Sequence, residues 1–162
     1  MIKNNVTRLL DSRKIPYEVF EAEAVKHSAL ESAAIHGLDP MTVYKTIVVF
    51  RLVKGKPILA VVPGPFEVDP KKVAAVIHEK KVRVSTQKEA EEITGLLSGG
   101  ISALALLNKG FQVFLHTSAS DQALINVSGG QRGLSVRLSP KDFLSLTNAK
   151  VADIASPSGS AL

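Results

Sequence analysis

The order of helix and strand signals predicts an α+β fold built around a curved, mixed β-sheet flanked by helices. Three observations carry that prediction. Helical and strand patterns alternate irregularly along the 162 residues, which fits neither a strict βαβ chain nor an all-β chain. Two apolar runs, 46–50 and 58–62, flank Lys54-Gly55-Lys56-Pro57 and read as an antiparallel hairpin buried on both faces. Helix-start signals at Ser28, Asp69, Thr86 and Ser139 set short helices apart from this strand-rich background.

Taken in order, Ile2, Val6, Leu9, Leu10 and Arg13 lie at helical spacing, and Ile15-Pro16 stops that helix ahead of a short strand over 17–20. Ser28-Ala29-Leu30-Glu31 has the form of a capping box, in which hydroxyl and carboxylate satisfy amide donors at a helix start. With Gly37 as the stop, a helix is expected over about 29–36. The hairpin follows. Asp69-Pro70 then supplies an N-cap and a proline at the first helical position, with Val73, Ala74, Val76 and Ile77 along one side. After a short strand at 82–84, Thr86-Gln87-Lys88-Glu89 forms a second capping box, whose helix ends at Gly95. Strand signal dominates at 111–116, 123–128 and 134–138, before Ser139-Pro140 opens a last helix through Phe143, Leu144 and Leu146.

The length suits one domain, expected over 1–154, while 155–162 is rich in Ser, Gly and Pro and reads as a disordered tail. The chain is 45% hydrophobic and 22% charged, as globular proteins are, and no apolar run approaches the ~20 residues that cross a bilayer. The first residues lead directly into an amphipathic pattern rather than a secretory signal, so the expected compartment is the cytoplasm, with no membrane partner. With no cysteine in the chain, disulfide scaffolds, thiolate metal sites and cysteine nucleophiles are excluded. The net charge of +5 permits a polyanionic partner. Yet Lys and Arg outnumber Asp and Glu by 13 to 9 through residue 81 and by 7 to 6 after it, so no basic arm stands out.

Familiar catalytic constellations are missing. His27, His36, His78 and His116 lack metal-ligand spacing and read as surface or packing residues, so no metal site and no cofactor are expected. Neither a P-loop nor a nucleophile elbow is present. Three stretches remain: Lys45-Thr46, Ser98-Gly99-Gly100-Ile101-Ser102 and Val127-Ser128-Gly129-Gly130-Gln131-Arg132-Gly133. Glycine pairs allow backbone amides to converge on developing negative charge, and they equally make tight turns. Ser128-Gly129-Gly130 separates two predicted strands and favours the turn. Lys45 can lie along apolar surface with its ammonium in solvent, or point into a site.

These stretches carry a resemblance. Val43-Tyr44-Lys45-Thr46-Ile47-Val48-Val49, Gly99-Gly100-Ile101-Ser102 and Val127-Ser128-Gly129-Gly130-Gln131-Arg132-Gly133-Leu134 resemble, in order and separation, the signatures of the YbaK-like aminoacyl-tRNA deacylases. The likeness extends from the first helix to Val151-Ala152-Asp153-Ile154. It implies a barrel-like mixed sheet and a free-standing editing domain, similar to the one inserted in bacterial prolyl-tRNA synthetases. The implied activity is hydrolysis of a mischarged aminoacyl-tRNA, Cys-tRNA(Pro) before Ala-tRNA(Pro). The implied partners are the tRNA 3′ aminoacyl end and prolyl-tRNA synthetase.

By the same resemblance Lys45 would sit at the pocket mouth, near the terminal phosphate or the substrate carbonyl. Amides of Gly99, Gly100 and Ile101 would cradle the carbonyl oxygen, and Thr46, Ser102, Ser128, Gly129 and Gly130 would bind the substrate. One departure bears on specificity. The cysteine-editing branch continues after its glycine pair with Pro, an apolar residue, Gly and a basic pair, whereas this chain has Ala103-Leu104-Ala105-Leu106-Leu107-Asn108-Lys109. A methyl at Ala105 is expected to narrow any pocket there. Two other classes stay open: a non-catalytic module that binds tRNA or a synthetase, and a hydrolase of small free esters.

Overall fold

A computed structural model describes residues 3–159. Helix α1 (Asn5–Ser12) starts on Asn4, whose side chain accepts the Thr7 amide while the Thr7 hydroxyl accepts the Asn4 amide. Its apolar stripe buries Val6 and Leu10. Ile2, expected on the same face, lies outside the described residues. Strand β1 (Glu18–Glu21) leads to helix α2 (Ala29–His36), whose Ser28 and Glu31 form the capping box expected from their spacing.

The hairpin is β2 (Tyr44–Arg51) and β3 (Ile58–Pro63), antiparallel from Tyr44–Pro63 to Val49–Ile58. All six β3 residues are buried, as a strand covered on both faces requires. β2 differs from expectation: Lys45, Thr46 and Ile47 are only half-buried. The physical reason is its neighbour. β5 (Val82–Val84) pairs only with Val49–Arg51, which leaves the first half of β2 open along one edge.

β4 (Phe66–Val68), α3 (Pro70–Val76) and α4 (Gln87–Thr94) intervene before β6 (Gln112–His116), which returns parallel to β3. β7 (Ile125–Ser128), β8 (Leu134–Leu138), α5 (Pro140–Thr147), β9 (Lys150–Ala152) and β10 (Ala155–Pro157) complete the chain. Among the described residues the strands form a five-stranded mixed sheet β5-β2-β3-β6-β9, a three-stranded sheet β1-β8-β7 and a two-stranded ribbon β10-β4. A lone parallel bridge, Val43 to Asn126, joins the first two sheets at their shared border. The mixed α+β architecture matches expectation, whereas the sheets do not close into a barrel.

Both faces of the five-stranded sheet are covered. Tyr44, Val48, Leu59 and Val61 face a core shared with α1, α5 and the β1-β8-β7 sheet. Val49, Ile58, Ala60 and Val62 face a second core with α3 and the C-terminal segment. That segment overturns the tail expected from residue 155. Ala155 is 1% exposed, β10 pairs antiparallel with β4, and the Ser158 amide donates to Pro65 O. Its Ser and Pro content reads as loop, but an open β4 edge gives its backbone a partner. Residues 160–162 of that expected tail lie outside the described residues.

Candidate active site

The open half of β2 borders a cleft of about 480 Å³. Successive residues of a strand point to opposite faces, so Lys45 shares the Ile47 and Val49 side and Thr46 shares the Tyr44 and Val48 side, yet both line this cleft because it wraps the strand edge. Lys45 Nζ donates to Gly64 O at 3.2 Å and to Glu67 Oε1 at 3.3 Å. Its side chain is 24% exposed, while that of Glu67 is 68% exposed, so the cation is half sheltered and its carboxylate partner is displaceable. Ser158 Oγ also donates to Glu67 Oε1, which ties the C-terminal segment to the lysine.

The second wall is the 98–101 loop that follows α4. Gly99 and Ile101 line the cleft. Among the described residues neither of their amides donates to a protein acceptor. Gly100 does not share this arrangement: its amide donates to Leu97 O at 2.8 Å, so of the three expected donors only those of Gly99 and Ile101 are unengaged among the described residues. A side chain at Gly100 is excluded for another reason, since a Cβ there would stand 2.9 Å from Gln131 Cα and C.

The third wall is the β1-β8-β7 sheet. Its register places Asn126 opposite Arg137 and Ser128 opposite Ser135, with Phe20 beside Ser135, all on one face. Val127 and Val136 turn the other way, into the core. Arg137 Nε donates to Asn126 Oδ1 at 2.8 Å. Because guanidinium only donates, this assigns the amide oxygen and leaves Asn126 Nδ2 without a partner among the described residues, as is Ser135 Oγ. Both residues line the cleft, so the wall carries hydrogen-bonding capacity that the protein itself does not use.

Not every expected residue reaches the cleft. Ser102 is buried and its hydroxyl accepts the Leu104 and Ala105 amides at the start of a short 3₁₀ turn, Leu104–Leu106. Gly129 and Gly130 build the β7–β8 turn instead: the Gly129 amide donates to Leu134 O, and the Gly130 amide donates to Ser128 Oγ. Neither they nor Ala105 line the cleft. The Ala105 methyl meets Gly130 on the reverse side of the turn, where Ala105 borders a separate shallow groove with Asn5 and Leu9, so it does not narrow the cleft as expected. Ser128 does line the cleft. So do His27 and His36, which the sequence offered no spacing to place there. His27 Nε2 lies 2.9 Å from Glu23 O, and the His36 ring meets Phe20 edge-on.

Among the described residues no group of three or more His, Cys, Asp or Glu gathers to hold a metal ion. Ser118 Oγ lies 2.9 Å from His116 Nδ1, but the same nitrogen accepts the Ser118 amide, so the imidazole caps a 3₁₀ turn. Burial lowers the His116 pKa, against an opposing pull from Asp153. Tyr44, whose hydroxyl reaches the same serine at 2.7 Å, has its pKa raised by burial and stays protonated.

A family model described as "Aminoacyl-tRNA editing domain" matches residues 23–146, a span that holds every residue of the cleft except Phe20, Ala22 and Ser158. The chain belongs to the aminoacyl-tRNA editing domain family. It is 36% identical over 154 residues to a protein of Enterococcus faecalis named "Putative Cys-tRNA(Pro)/Cys-tRNA(Cys) deacylase EbsC", covering 94% of this chain and 93% of that one. The solved structure of "a putative trans-editing enzyme for prolyl tRNA synthetase" superposes with a TM-score of 0.80 at 26% identity, covering 96% of this chain and 99% of the other. The hypothetical protein APE2540 shares the fold at a TM-score of 0.85 and 21% identity, covering 94% of this chain and all of its own. No helix among the described residues of this family member is long and apolar enough to cross a membrane.

Glu67, Asn126 and Ser135 line the cleft and were not singled out in the sequence. For Asn126 and Ser135 a signal existed: polar residues alternate with Ile125, Val127, Leu134 and Val136 at period two, which marks a strand pair with one wet face.

Proposed function

We propose that the protein hydrolyses the ester of mischarged aminoacyl-tRNA, with Cys-tRNA(Pro) as its first substrate. The observation that carries this reading is the meeting, in one cleft, of the Lys45 ammonium, two unengaged loop amides at Gly99 and Ile101, and a polar strand wall. An aminoacyl ester is already activated. What it needs is positioning and stabilisation of the tetrahedral oxyanion, and loss of one such donor in known oxyanion holes costs about 3 kcal/mol.

In this reading Lys45 leaves Glu67 to hold the terminal phosphate of the 3′ end, and the Gly99 and Ile101 amides receive the carbonyl oxygen. Thr46 and Ser128 border the aminoacyl group. The attacking group is water, or a cysteine thiol of the substrate that first displaces the 3′ oxygen as a cyclic thioester which water then opens. In either case the ester C–O bond breaks, the proton of the attacking group passes to the 3′ oxygen, and free tRNA hydroxyl and free amino acid are released. The E. faecalis relative's name supports cysteine as the amino acid, and the trans-editing neighbour supports prolyl-tRNA synthetase as a partner that presents the tRNA.

The test is a panel of tRNA(Pro) charged with Cys, Ala or Pro, incubated with wild-type protein and with Lys45→Ala. Ester loss should be fastest with Cys and at least tenfold slower in the variant. Equal cleavage by both proteins rules out the role given to Lys45. Binding of charged tRNA with the ester left intact would make the protein a non-catalytic module, and cleavage unaffected by uncharged tRNA(Pro) would point to a small free ester.

A further inference from the structure

Two pieces of chain that are remote in sequence, the end of α4 with its following loop and the β7–β8 turn, meet at Ser98. Glu91 stands on α4, whose start is fixed by the Thr86–Glu89 capping box. Arg132 stands in the β7–β8 turn. Between them, the Ser98 amide donates to Glu91 Oε2 at 2.7 Å, and Arg132 Nε donates to the Ser98 carbonyl at 2.7 Å. Arg132 Nη2 closes the triangle 3.8 Å from Glu91 Oε2, with both side chains 28% exposed.

The Ser98 carbonyl belongs to the same peptide unit as the Gly99 N–H. That unit is planar and trans, so whatever fixes its oxygen fixes the opposite direction of its N–H. Gly99 sits at φ +88, within glycine's wide conformational range, where the preceding peptide can turn over and bring a carbonyl to face the cleft in place of a donor. A guanidinium on the oxygen holds the unit against that turn. It also polarises the peptide, which strengthens the N–H as a donor. Gly100 lies so close to the Gln131 backbone that a Cβ there would stand 2.9 Å from Gln131 Cα, which brings the two glycine-bearing loops together on the same side.

We propose that Arg132 and Glu91 are positioning residues, a clamp that aims the Gly99 amide at the oxyanion. The inference rests on the deacylase reading above, and it adds that the two glycine-bearing loops act as one unit. A positioning role acts on the transition state, so it shows in kcat rather than KM. Arg132→Ala should lower kcat about 10- to 100-fold and leave KM within about twofold. Arg132→Lys should restore only a minor part, because an ammonium lacks the planar fork. Glu91→Gln keeps an acceptor for the Ser98 amide and should lower kcat by less than about fivefold.

The accompanying readout is amide hydrogen exchange at Ser98 and Gly100, which should quicken in Arg132→Ala while core amides in β3 keep their protection. Should Arg132→Ala fail to fold, Arg132→Lys and Glu91→Gln carry the same test. Wild-type kcat in Arg132→Ala or Arg132→Lys overturns the clamp, as does a raised KM with kcat intact, which would assign the arginine to RNA contact. If wild-type protein cleaves no charged tRNA at all, the deacylase reading falls and the clamp with it. An active wild type with unaffected variants sinks the clamp alone.

Discussion

At the scale of single residues, the Lys45–Glu67 pair explains how a lysine can stand at the entrance of a buried strand. One side of its ammonium is taken by the Gly64 carbonyl and the other by an exposed carboxylate, so the charge has two partners, the second of them open to solvent; in the proposed function a phosphate takes that second place. An exposed ion pair is worth about 0.2–1 kcal/mol. Removing the competing carboxylate should therefore tighten substrate binding modestly: Glu67→Gln is expected to lower KM for charged tRNA about 1.5- to 5-fold with kcat unchanged, as measured by initial rates at low salt. A raised KM would show instead that Glu67 helps to orient Lys45. Sequence made Lys45, Thr46, Gly99, Ile101 and Ser128 visible as candidates. Glu67 stayed hidden because its contact with Lys45 spans 22 residues and depends on how the chain turns after β3, which no local pattern reports.

At the scale of elements, local chemistry placed the helices well and the short strands poorly. Ser28–Glu31 and Thr86–Glu89 each form reciprocal hydrogen bonds within four residues, so their spacing alone locates α2 and α4. β4, β9 and β10 are three residues long and have no apolar run, and only partners distant in sequence make them strands. α4 also sets up an acid-sensitive contribution. Both oxygens of Glu89 accept from Arg83, at 2.8 and 2.9 Å, and the carboxylate caps the Thr86 amide. Together these lower its pKa from 4.5 to about 2, with the arginine as the larger cause. A folded pKa below the unfolded one gives stability that is complete above about pH 4.5 and is lost as the pH falls through 2. Glu89→Gln should therefore melt at a lower temperature than wild type at pH 7, with the gap narrowing towards pH 2. Parallel melting curves across that range would contradict it.

At the scale of the whole molecule, convergence of the three walls is the part no periodicity reveals, because it depends on the β1-β8-β7 sheet meeting the chain just ahead of β2, at the bridge between Val43 and Asn126. Lys26, which lines the same cleft as Lys45 and donates to Gln87 at 2.6 Å, brings a second cation to its wall. Two phosphate contacts to a single-stranded 3′ end predict that raising salt from 50 to 200 mM weakens tRNA binding about sevenfold. A flat salt response, followed by filter binding or KM, would argue that the surface charge takes no part.

The parallel pairing of β3 with β6 carries a consequence for synthesis of the chain. β3 is apolar throughout, and the strand that covers one of its edges begins about 50 residues later, at Gln112. At ribosomal speeds of roughly 5–20 residues per second, that edge stays uncovered for about 3–10 seconds in every newly made molecule. Throughout that interval the nascent hairpin offers a sticky template to any other extended segment nearby, so crowded expression at high temperature threatens yield well before it threatens the finished fold.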